Sequence, residues 1–170
     1  MDLEKLAANI RETYSLYGNA GLQILQADET FKVKVELNPQ TENHVQMMHA
    51  AYLFAGGEFL GGLVPMRHLA KPEKFQPVVR DLKIEFKAPA MSSVTAETVF
   101  SQAQANEMNA ALEKDGRYDF TLVADLKDEN GTLVAQTTTN YAIRNFMAGK
   151  PPRRDKRAQR LLLAKPTARL

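Results

Sequence analysis

Residues 45–66 read VQMMHAAYLFAGGEFLGGLVPM, a stretch of apolar and small residues in which Glu58 is the only formal charge at neutral pH. Positions 49 to 64 are too long for one strand, poor in β-branched residues and apolar on nearly every face. That is the pattern of a central helix wrapped by other structure. Gly56, Gly57, Gly61 and Gly62 each cost about 1 kcal/mol relative to alanine in a helix interior, so something must approach this helix closely. A carboxylate in such a segment loses hydration on folding and must be paired, neutralised or kept for chemistry.

The flanking sequence changes period around this stretch. After Asp2, a candidate N-cap, Leu3, Leu6, Ile10, Tyr14 and Tyr17 recur at steps of three or four and mark a docking helix over 1–20 that ends near Gly18-Asn19. Leu22 and Ile24, then Val33, Val35 and Leu37, alternate with polar residues as two strands with one wet face. Residues 67–77 read as a charged connection with Pro72 and Pro77. Leu82, Ile84 and Phe86 alternate cleanly with charges, and Val94, Ala96, Thr98 and Phe100 continue the pattern. A short break around Asn106 to Gly116 precedes the strand of Tyr118, Phe120, Leu122, Ala124 and Leu126. Asn130-Gly131 then predicts a hairpin into a last strand over 132–146. The expected order is helix, two strands, buried helix and four strands, an α+β domain over 21–146 with an antiparallel sheet.

A chain of 170 residues suits one domain that needs no disulfide or metal support, and the absence of cysteine removes both disulfides and thiolate metal sites. The N-terminus lacks an apolar signal core, and Glu58, two Gly-Gly pairs and Pro65 interrupt the apolar stretch, so neither a secretory segment nor a membrane span is expected. A soluble cytoplasmic protein follows. The net charge of +2 is unevenly placed: eight basic residues from Lys150 to Arg169 stand against Asp155 alone, which leaves a mildly acidic body and a basic extension over 147–170. The extension has no aromatic residue to stack on bases, so a nucleic-acid partner is not expected. Its charge could instead attract coenzyme A phosphates, and Leu161, Leu162 and Leu163 could anchor it. No Gly-rich phosphate loop and no metal-ligand spacing is present, so no cofactor is expected.

The entry to the apolar stretch reads N-HVQMM-HAA-YLFAGG-E, and this resembles the small hotdog acyl-CoA thioesterases of the phenylacetate-pathway type. That family has an Asn, a His six positions later followed by two Gly, and an acid nine positions after that His. Asn43, His49 and Glu58 occupy those places without a gap, with Ala50-Ala51 standing where the family has Gly-Gly. The resemblance extends over roughly residues 20 to 146. It implies a hotdog fold, an acyl-CoA or other acyl-thioester substrate, a largely positioning role for His49, and a homodimer or dimer of dimers with sites shared across the interface.

The residues support a mechanism of their own. A helix N-terminus presents unpaired N–H groups, so the amides of Ala50 and Ala51 could stabilise an oxyanion, with Glu58 as general base on water and Asn43 orienting the carbonyl or the water. The nine steps from His49 to Glu58 turn a helix by roughly 900° and span about 13 Å, which sets the two side chains on opposite sides. One chain then supplies half a site, and at least a homodimer is predicted. The structural alternatives are a Lys or Arg partner for Glu58, a hydrogen-bonded role for His49 and a turn role for Asn43. Two further functions stay open: an acyl-thioester hydratase or dehydratase using His44 and Glu58, fourteen positions apart, and a non-catalytic acyl-binding protein.

Overall fold

The computed structural model describes residues 2–146 and 148, and the basic extension expected over 147–170 lies outside the described residues apart from Ala148. The chain runs α1 (Leu3–Thr13), α2 (Ser15–Asn19), β1 (Gln23–Ala27), β2 (Thr30–Val35), α3 (Ala50–His68), β3 (Gln76–Phe86), β4 (Val94–Val99), α4 (Gln102–Asp115), β5 (Arg117–Asp128) and β6 (Leu133–Arg144). The six strands form one antiparallel sheet in the order β1-β2-β4-β5-β6-β3. α3 packs against all six of them. Leu60, Leu63 and Val64 of α3 are fully buried, in one core with Phe31, Val33, Ala96, Leu126 and Ile143 of the sheet. The expected helix wrapped by a sheet is therefore present.

β6 approaches α3 closely. Thr137 lies against Gly57 and Tyr141 against Gly61, where a Cβ would collide with either side chain. Asn130-Gly131 turns the β5–β6 hairpin as expected, with Gly131 at φ +82° and Asp128 Oδ1 accepting from the N–H groups of Asn130 and Thr132.

Three expectations are corrected. Asp2 does cap the first helix, its Oδ1 accepting from Lys5 N–H at 3.0 Å, but Tyr14 turns extended (φ −122°, ψ 108°) and divides the segment into α1 and α2. The connection over 67–77 is shorter than expected, because α3 continues through Pro65 to His68 and β3 starts at Gln76. Pro77 is tolerated because β3 is an edge strand, where a missing N–H costs no ladder bond on the free side. The break near 106–116 is α4, started by a capping box between Ser101 and Gln104 and ended by Gly116 at φ +67°. Its Ala105, Met108 and Leu112 join the core, and Asn109 ties it to the end of α3 by donating to the His68 carbonyl.

Candidate active site

α3 starts from an irregular loop pinned on two sides. Met48 N–H donates to the Ala90 carbonyl and His49 N–H to the Thr41 carbonyl. His49 is extended (φ −65°, ψ 137°) and is the N-cap: its Nδ1 accepts from Ala51 N–H at 3.1 Å. The amides of Tyr52 and Leu53 bond to the His49 carbonyl. That leaves the Ala50 N–H, which has no hydrogen-bond partner among the described residues. His49 thus takes the structural role open to it, and it consumes one of the two amides named as oxyanion donors.

Ala50 lines a cleft of about 390 Å³ together with Asn43, Met47, Met48, Leu53 and the 86–90 segment that begins on the last residue of β3. Asn43 is a turn residue here, its Oδ1 accepting from the N–H groups of Val45 (2.9 Å) and Met47 (3.2 Å). Its Nδ2 keeps no partner among the described residues, so the side chain retains a donor at the cleft. The cleft is apolar apart from Asn43 and Lys87, a lining suited to an aliphatic or aromatic acyl group.

Glu58 does not line this cleft. It is half-buried, and among the described residues no Lys or Arg pairs with it. The partner is a phenol: Tyr17 O–H donates to Glu58 Oε2 at 2.8 Å. A second phenol, Tyr141, donates to the Glu58 backbone carbonyl at 2.8 Å. Burial pushes both phenols up, and the nearby Glu58 charge pushes each further in the same direction, so both stay protonated donors through neutral pH. The unfolded chain releases these protons near the ordinary value of 10.0, so the folded state binds more protons above that pH and stability falls as pH rises. Urea midpoints are therefore expected to drop between about pH 9 and pH 11, and midpoints that stay level would contradict the burial of these phenols.

The fold thus brings Asn43 and the Ala50 amide together and sets Glu58 elsewhere on the same helix. His44 is exposed on the loop. Among the described residues no group of three or more His, Asp or Glu side chains could hold a metal ion, and no helix is long and apolar enough to cross a membrane.

The family model described as a domain of unknown function (DUF4442) matches residues 6–143. The chain is a DUF4442 protein. No curated protein matches it. Among solved structures, the DUF4442 chain is similar to a Pseudomonas aeruginosa protein of unknown function described as a probable thioesterase, with a TM-score of 0.74, 22% identity, and 82% of this chain and 94% of that one covered. It is also similar to a thioesterase from Haemophilus influenzae, with a TM-score of 0.69, 15% identity, and 89% and 96% covered. These likenesses show the fold, and the DUF4442 protein has the hotdog fold.

Sequence reasoning missed Tyr17, Tyr141 and the 86–90 wall of the cleft. A signal existed for the first of these, since a tyrosine on the inner face of a docking helix needs a hydrogen-bond partner for its hydroxyl. The identity of that partner was not in the pattern, because 41 positions separate Tyr17 from Glu58.

Proposed function

We propose that the protein hydrolyses acyl thioesters, with acyl-coenzyme A as substrate, at a site shared between two copies of the chain. The observation that carries this reading is the free Ala50 amide at the start of a buried helix, set in an apolar cleft beside the Asn43 carboxamide. Both are donors placed for a carbonyl oxygen on which negative charge develops. The reading gains support from the thioesterases among its structural neighbours. Water, with Glu58 accepting its proton, attacks the thioester carbon. The C–S bond then breaks and the thiolate takes that proton, giving a carboxylic acid and a free thiol.

Glu58 lies eight residues beyond Ala50, about 12 Å along α3, and does not line the Ala50 cleft, so the base comes from a second copy. Support for self-association comes from β3, an edge strand exposing Val78, Val79 and Phe86, and from the partly exposed Phe54 on α3.

Ala50→Pro tests both parts. Proline is tolerated at the first position of a helix and the extended His49 suits the residue before it, so the change deletes one N–H and keeps the helix start. Thiol release from butyryl-, octanoyl- or phenylacetyl-coenzyme A is expected to fall about 10²- to 10³-fold. Mixing unfolded Ala50→Pro and Glu58→Gln chains and refolding them together is expected to restore about a quarter of the sites, since half of the random dimers hold one intact site of two. No recovery in verified mixed dimers would place both groups in one chain. Conversion of an enoyl thioester without thiol release would point instead to hydration.

A further inference from the structure

Resting on the reading of Glu58 as base, we infer that Tyr17 is a positioning residue of the site: its hydroxyl holds Glu58 Oε2, so that Oε1 is the oxygen presented to water. Oε1 has no partner among the described residues, whereas Oε2 accepts from Tyr17 at 2.8 Å. A glutamate side chain has three rotatable bonds, and a base that wanders among rotamers seldom meets the attacking water at the right distance. One strong donor on one oxygen removes most of that freedom and fixes which lone pairs remain.

The phenol is itself held rigidly. Its ring stands edge-on to Phe59 at 4.9 Å, and its backbone carbonyl accepts from Leu22 N–H at 3.1 Å. α2 is seated against α1, where Gly18 meets the Arg11 carbonyl so closely that a Cβ has no room. Arg11 in turn donates to the Leu22 carbonyl at 2.7 Å, which fastens both helices to the start of the sheet. The N-terminal helix pair, which reads in sequence as a docking element outside the 21–146 domain, therefore reaches the candidate base through a built contact. The titratable groups facing Glu58 are Tyr17 from α2 and Tyr141 from β6, with Tyr14 beyond Tyr17. No cation among the described residues forms an ion pair with it, so the phenol is the group that sets the carboxylate's orientation.

Tyr17→Phe removes one oxygen atom and keeps the ring on Phe59. With octanoyl-coenzyme A as probe, kcat is expected to fall about tenfold at unchanged KM, as orientation is lost without loss of binding. Tyr14→Phe, on the exposed neighbour, should match the wild type. A second readout needs no activity: in Glu58→Gln two phenols should ionise at lower pH than in the wild type on ultraviolet titration, since the charge that helps hold Tyr17 and Tyr141 protonated is gone. The inference is overturned if Glu58→Gln is inactive while Tyr17→Phe retains the wild-type kcat, or if the phenol titration is unchanged in Glu58→Gln. Thiol release retained by Glu58→Gln would overturn the reading of the base, and this inference with it.

Discussion

Glu58→Gln is expected to lower thioester hydrolysis by about 10²- to 10⁴-fold, the range ascribed to a positioned general base, with little change in KM. Glutamine has the same shape, a similar helix propensity and an oxygen that can still accept from Tyr17, so the contact that seats the side chain is kept. What disappears is the capacity to take a proton from water. The effect on stability should have the opposite sign from that of a broken ion pair. Among the described residues no Lys or Arg pairs with Glu58, so neutralising it removes a half-buried charge without orphaning a cation. The melting temperature should stay level or rise as activity falls. Thiol release from the three coenzyme A thioesters that stays within about threefold of wild type would sink the general-base assignment, since a positioned base contributes far more.

The same residues mark how far sequence carries. α3 was legible because its composition is apolar nearly throughout, on the stripe of Phe54, Gly62 and Met66 that stays partly open as well as on the face buried against the sheet, and because a lone carboxylate there contradicts its surroundings. The strands were legible through their two-residue period, except where tertiary contacts override local pattern. β3 extends back through Pro77 because an edge strand asks less of its backbone. α4 was misread although its signals were present: Ser101 and Gln104 form a capping box, Ala105, Met108 and Leu112 share a face, and Gly116 closes the helix. The polar residues between them hid a stripe only three buried side chains wide. At the site, Asn43, His49, Ala50 and Glu58 are placed by local spacing and could be picked out. Whether the Ala51 amide stays free depends on the rotamer of His49, and the partner of Glu58 depends on how α2 docks. Neither is encoded in spacing.

Gly61→Ala is expected to be the most damaging of the small changes in α3. The added Cβ would fall within the ring of Tyr141, nearest Cζ and Cε1. That ring cannot retreat freely, being 2% exposed and stacked on Phe120 at 5.0 Å, with its hydroxyl tied to the Glu58 carbonyl at 2.8 Å. Overpacking of this kind costs about 1–3 kcal/mol, and loss of the hydroxyl's bond about 1 kcal/mol more, against a gain of about 1 kcal/mol in helix propensity. A net loss of about 1–3 kcal/mol should lower the melting temperature by roughly 2–12 °C for a domain of this size. Gly62→Ala is the control, because its Cβ meets nothing within 4 Å, and the same propensity gain should then appear alone as a rise of about 2–4 °C. If close approach is why position 61 holds glycine, trimming the opposing ring in Gly61→Ala/Tyr141→Leu should cost less than the two single changes added together. Strict additivity, or a Gly61→Ala protein that melts with the wild type, would show that helix and sheet can part here. Glu58 would then owe its place to Tyr17 alone.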